Sequence, residues 1–393
     1  MSTDLEADLR AAFEAASEAM FPHADLANRV RRGARRRRRV AAGVTLAVVA
    51  LAGASYVGAT TSWSSGPPAH HGPAAPFVVR LPAGQDVESL AASGPYLYVG
   101  TSHSALPPYA LSAYARTTGQ LIRRVSAPAV PTTLIAGPAR SVWLTFIPTE
   151  GGGPCGTWLL TADLARRSHA QLLCASALLP TSADTEITVV ATNGHLGTVV
   201  MPPPGQPGRP HITRTAYVGK YAVASLAQVG NHVAAQVTND SGRPHVVISG
   251  ERGVSYGGPG QWVEFMAAQG DSLWVVTYSG LAASSGPLVR LSADLRPTTP
   301  RALEANPILS RSVQVWAHKA TVWVATASAA HRLVCFAGHN PTGRLATIAV
   351  PGPPIALAAM DRTVYVAVGS GITGATGVRP AGVLAYRIPA ACT

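Results

Sequence analysis

The sequence predicts an all-β chain of repeated four-stranded units standing behind one transmembrane helix. Three observations predict it: a short apolar strand that returns seven times, a run of 22 residues without charge, and an arginine cluster directly before that run.

Composition agrees with the β assignment. Of 393 residues 47% are hydrophobic and only 13% charged, with 38 Gly and 32 Pro. Soluble domains carry about a quarter charged residues. Low charge with many turn formers suits short strands joined by tight turns. A net charge of +12 and a pI near 10.1 would suggest a nucleic-acid binder. The distribution argues against that class. Residues 1–39 hold nine Arg against six acids, and the rest of the excess is thinly spread over the remaining chain.

Residues 1–39 read as a cytoplasmic helical, Arg-rich segment. Thr3-Asp4-Leu5-Glu6 is a capping-box pattern, and Leu5, Leu9, Phe13 and Met20 fall near one helical face. Pro22 ends that helix, and Asp25 to Val30 starts a second one. The cluster Arg31, Arg32, Arg35, Arg36, Arg37, Arg38 and Arg39 is a topogenic signal that keeps the N-terminus cytoplasmic, with anionic lipid as its natural contact.

Residues 40–61, VAAGVTLAVVALAGASYVGATT, carry no charge and no polar stripe. At 1.5 Å per residue they span roughly 33 Å, enough for a hydrocarbon core of about 30 Å. A retained anchor is expected rather than a cleaved signal, since 39 preceding residues are long for a secretory n-region. The expected location is the cell membrane, single-pass, with the C-terminal part extracytoplasmic. Residues 62–76, rich in Pro, Gly and Ser, form a linker, and its His70-His71 pair has no further ligand at metal-binding spacing.

The repeats occupy 77–393. The recurring strand reads Leu97-Tyr98-Val99-Gly100-Thr101, then Val142-Trp143-Leu144, Ile187-Thr188-Val189, Val233-Ala234-Ala235, Leu273-Trp274-Val275, Val322-Trp323-Val324 and Val364-Tyr365-Val366. Successive starts differ by 45, 45, 46, 40, 49 and 42 residues. A period in the forties with four strands per unit predicts a seven-bladed β-propeller. A small-residue strand such as Leu90-Ala91-Ala92 precedes most copies, suited to the crowded centre. The Trp or Tyr of the second strand suits the layer between blades. The third copy is the weakest, interrupted by Met201-Pro202-Pro203-Pro204-Gly205. Phe77 to Leu81 is a lone strand before the first repeat, while the seventh repeat runs out after Ile388. The lone strand is therefore expected to complete the last blade and remove its open edge.

Tyr98-Val99-Gly100-Thr101 with Ala113-Tyr114-Ala115-Arg116-Thr117-Thr118-Gly119 resembles the quinoprotein-like repeat. Leu273-Trp274-Val275-Val276-Thr277 with Leu288-Val289-Arg290-Leu291 resembles the YVTN and streptogramin-lyase-like repeat. The likeness covers about 77–389 and implies a propeller, an architecture that hosts many functions. A lyase of that kind implies a His and a bound magnesium, and neither maps onto a position of this sequence; quinone-cofactor ligands do not map either. Residues 1–39 resemble the cytoplasmic segment of single-pass proteins of high-GC bacteria, some encoded beside sigma factors.

Four cysteines, Cys155, Cys174, Cys335 and Cys392, lie in the part expected outside, where an even number suggests disulfides. Cys155 and Cys174 stand symmetrically about a turn near Leu164-Ala165, which favours their pairing; Cys335 with Cys392 follows by elimination. No Cys-x-x-Cys spacing points to zinc. No phosphate loop and no catalytic signature stand out, and no cofactor is expected. His103, Glu264 and His318 flank first or second strands and could reach a propeller mouth, although an ordinary surface role is the commoner fate of such residues. The expected function is a non-catalytic module that binds a ligand or protein outside the cytoplasm. Its rivals are an extracytoplasmic lyase or quinoprotein-like enzyme, and a transmembrane regulator holding a cytoplasmic partner such as a sigma factor.

Overall fold

The computed structural model describes residues 77 to 392, apart from 104–105, 138–140, 148–155, 171–177, 182–184, 191–194, 218–221, 239–243, 250–254, 258–261, 279–284, 299–311, 319–320, 327–330, 338–339, 370, 374–376 and 380. The expected helices of 1–39 and 40–61, the linker 62–76 and the topogenic arginines lie outside the described residues. Among the described residues no helix is long and apolar enough to cross a membrane.

The described residues open with β1 (Phe77–Arg80). The first repeat then forms β2 (Gln85–Ser93), β3 (Tyr96–His103), β4 (Leu106–Ala115) and β5 (Leu121–Ala127). The second forms β6 (Val130–Ala136), β7 (Val142–Ile147), β8 (Gly156–Leu160) and β9 (Arg167–Ala170). The third forms β10 (Leu178–Pro180), β11 (Glu186–Val190), β12 (His195–Val200) and β13 (His211–Tyr217). The fourth forms β14 (Ala222–Val229), β15 (His232–Thr238), β16 (Pro244–Ile248) and β17 (Ser255–Tyr256). Each is an antiparallel sheet in chain order. The triple-proline stretch does not break the third; it becomes the connection from β12 to β13.

The fifth repeat forms β18 (Trp262–Gln269), β19 (Ser272–Tyr278) and β20 (Ser285–Ser292), and the sixth β21 (Ser312–His318), β22 (Thr321–Thr326), β23 (Arg332–Ala337) and β24 (Asn340–Ala349). The seventh forms β25 (Pro354–Met360), β26 (Thr363–Val368), a side hairpin β27 (Gly371–Thr373) and β28 (Gly377–Arg379), and β29 (Gly382–Arg387). The expectation of seven four-stranded blades is corrected here. Six sheets have four strands, whereas the fifth repeat shows three among the described residues. After β20 the chain turns back through a single bridge, Leu291 to Pro297, and Thr298 N–H donates to the Arg290 carbonyl at 3.0 Å.

Hydrophobic cores lie between sheets, and strand periodicity explains why. Successive side chains of a strand face opposite sides. Leu97 and Val99 therefore join the core shared with the seventh repeat, while Tyr98 joins the one shared with the second. In β7, Val142, Leu144 and Phe146 face the first repeat and Trp143 the third. In β22, Val322 and Val324 face the fifth repeat and Trp323 the seventh, and in β26 Tyr365 faces the first. The second-strand aromatic thus fills the interface with the following sheet. The innermost strands β2, β6, β10, β14, β18, β21 and β25 each lie against the next, and β25 returns to β2.

Two devices hold the ends. Strand β1 pairs antiparallel with β29, Phe77 opposite Leu384 and Arg80 opposite Gly382, so the last sheet runs β1-β29-β26-β25. Val79 is buried there. A glycine at 119, with φ +69°, lets the β4–β5 turn close onto the Val78 carbonyl of that strand, where a Cβ would collide. The second device is a disulfide. Cys335 on β23 is joined to Cys392 in the terminal 3-10 turn, with Cα atoms 6.4 Å apart. It ties the tail of the seventh repeat to the sixth. Cys155 and Cys174 lie outside the described residues.

Candidate functional site

All innermost strands run the same way around the ring, so the domain has two unlike ends. At one end, first and second strands meet in two-residue turns in four repeats: Gly94-Pro95, Gly230-Asn231, Gly270-Asp271 and Asp361-Arg362. The first residue of each has positive φ, 53 to 56°, which glycine and aspartate tolerate. At the other end, second and third strands are joined by two residues in the first repeat, eight in the second and thirteen in the seventh, where β27 and β28 add their own hairpin. The longest connection between strands of one repeat, the thirteen residues before β29, lies at this long-loop end, and loops are where binding residues are most often carried.

The same end carries a feature the sequence did not announce. In six innermost strands the register with the second strand skips one residue: Glu88, Thr132, Ala224, Glu264, Val313 and Ile355. Each is a β-bulge at the equivalent position, near the start of the strand. A bulge adds twist and re-aims a side chain. Polar ties fasten the bulges across sheets. Ser89 Oγ donates to the Pro131 carbonyl at 2.9 Å, and Gln236 Nε2 donates to the Val263 carbonyl at 2.8 Å. In both cases the accepting carbonyl belongs to the residue before the next bulge. Gly100 makes room for the first tie, since a Cβ there would strike Ser89 Oγ and Pro131. Ser102 Oγ donates to Glu88 Oε1 at 2.6 Å, and Gln236 Oε1 accepts from Ser225 Oγ at 2.8 Å.

The three polar residues singled out in sequence do not converge. His103 ends β3 at the long-loop end, exposed, with its ring against Gly84. Glu264 is the bulged residue of β18, four repeats away. His318 ends β21 opposite Thr321, at the short-turn end. Among the described residues no group of three or more His, Cys, Asp or Glu is placed to hold a metal ion. The arrangement is a bulge-lined rim with connections of unequal length beside it.

No family model matches the chain, and no curated protein matches it. Solved structures do. The structure of U3-55K is similar with TM-score 0.55 at 11% identity, over 79% of this chain and 98% of that one. Sqt1 from Saccharomyces cerevisiae is similar with TM-score 0.51 at 8% identity, over 80% and 100%. BamB from Moraxella catarrhalis gives TM-score 0.45 at 14% identity, over 77% and 84%. At such identities a likeness speaks for the fold alone, an all-β propeller.

Proposed function

We propose that the chain is a membrane-anchored, non-catalytic binding module: residues 1–39 cytoplasmic, 40–61 spanning, and the propeller outside, taking a protein partner on its long-loop end. The observation that carries the binding role is the rim of register bulges at the start of six innermost strands, at the end where second-to-third connections run from two to thirteen residues. The uncharged run behind seven arginines supports the anchor and its orientation. The repeats are read as being of the YVTN or quinoprotein-like kind, on the motifs around Tyr98 and Trp274. A second reading adds a cytoplasmic partner such as a sigma factor, favoured by the capping box and helical period of residues 3–20.

Site-specific photo-crosslinking of the full chain in cells tests the binding role. Probes at Gln85 and His103 are expected to give one shared adduct, and probes at Thr118 and Arg296 none. Adducts from the short-turn positions alone, or none from either end, overturn it. Protease added to intact spheroplasts should degrade the propeller and spare residues 1–39; protection of the propeller sinks the topology.

A further inference from the structure

The outer edge of the first repeat carries two of the three exposed large hydrophobic side chains among the described residues, Leu121 at 49% and Ile122 at 48% exposure. They are neighbours in sequence, and a regular strand would send them to opposite faces. The pairing of β4 with β5 skips Ile122, with Tyr114 opposite Leu121 and Ala113 opposite Arg123. The bulge leaves Leu121, Ile122, Arg123 and Arg124 all exposed on an edge strand. Natural edges are usually blunted by charge, and here charge and apolar bulk stand side by side.

Position and charge identify what this patch meets. Leu121 stands at the short-turn end, just past the turn that closes onto Val78 of β1. Strand β1 begins on the short-turn side and ends on the long-loop side, as its pairing with β29 requires. The start of β1 therefore lies beside this patch, and in the anchored reading the 15 residues 62–76 before it span at most about 50 Å when extended. The surrounding edge of the first and seventh repeats presents Arg116, Arg123, Arg124, Arg362 and Arg387. Against them stand Asp361, paired with Arg116 at 2.7 Å, and Asp163 of the second repeat, which feels Arg123. The balance is positive. Exposed aliphatic side chains beside arginines match an anionic bilayer surface, where apolar groups enter the headgroup boundary and cations meet lipid phosphates.

We propose that Leu121, Ile122, Arg123 and Arg124 form a docking patch for an anionic bilayer, holding the propeller with its short-turn end against the membrane and its long-loop end away from it. The proposal rests on the anchored reading above. The linker keeps the patch at high effective concentration near the lipid, so weak contacts suffice.

The test uses the full chain reconstituted into vesicles of phosphatidylcholine with or without phosphatidylglycerol, with part of the acyl chains brominated. A fluorescent amino acid at position 122 should be quenched by the brominated chains in the anionic vesicles and several-fold less in phosphatidylcholine alone. The same probe at position 103 should stay unquenched. R123Q/R124Q should abolish the difference between lipids while the melting temperature holds. A chain that resists carbonate extraction yet shows no quenching at 122, or equal quenching at 103, overturns the patch and leaves the anchor standing. A chain that carbonate strips from the vesicles overturns the anchor, and the patch with it.

Discussion

Tyr98 illustrates how single side chains join neighbouring sheets. Its ring is fully buried between the first and second repeats, and its hydroxyl donates to the Ala162 carbonyl at 2.8 Å. Burial pushes its pKa well up, helped by nearby Tyr96, and burial pushes Tyr386 up to about 12. Tyr256 and Tyr365 are raised for the same first reason. The unfolded chain ionises near pH 10, so between there and the folded values the native state holds more protons than the unfolded one. The tyrosine contribution is then fully present below about pH 10 and lost as pH rises through the folded values. Denaturant midpoints should fall above pH 10, together with the appearance of tyrosinate absorbance. Tyr98→Phe should cost about 1 kcal/mol at neutral pH and flatten that alkaline fall. An unchanged alkaline slope would remove Tyr98 from this account.

At the scale of elements, the ends of the chain decide whether the ring stays shut. Strand β1 caps β29, which would otherwise offer an unpaired edge. The Cys335–Cys392 bridge acts on the other side of the last repeat, toward the sixth, on a tail that also receives the Thr321 hydroxyl at the Cys392 carbonyl. It closes a loop with a sequence separation of 57, for which the chain-entropy relation gives about 4 kcal/mol. Reduction, or Cys392→Ala, should lower stability by up to that amount, read as a shift of the guanidinium midpoint with unchanged slope. Coincident midpoints for oxidised and reduced protein would show that the tail contributes nothing.

At the scale of the molecule, no sheet owns a core. Trp143 is wholly buried against Leu178, Ile187 and Val199 of the following repeat, so its loss affects two sheets at once. Trp143→Ala should cost about 3–5 kcal/mol, as other large core truncations do. Because cores are shared around the ring, that loss should move one transition rather than create a second. Near-ultraviolet and far-ultraviolet circular dichroism should report the same melting midpoint in the wild type and in the variant. Separate midpoints would mean that neighbouring sheets unfold independently.

Strand identity was legible in the residues because it is local. Leu97-Tyr98-Val99 and its counterparts alternate and return at a steady interval, and no tertiary information is needed to see a buried strand in them. The match of β1 to the last sheet was legible for a related reason, since one strand was spare and one sheet was short. The six bulges were not, because a residue such as Ile355 looks like any strand residue until its partner strand is in place. The same holds for the fifth repeat, where the return of Pro297 onto Leu291 depends on a strand six residues earlier being in place. The candidate site followed the bulges rather than the histidines: His103 and His318 were conspicuous in sequence and fall at opposite ends of the ring. Periodicity and composition are written into consecutive residues, so the sequence carries the repeat. Which residues share a rim, and which end of the ring carries the long loops, depends on pairing between strands far apart in the chain, and only the folded ring holds that information.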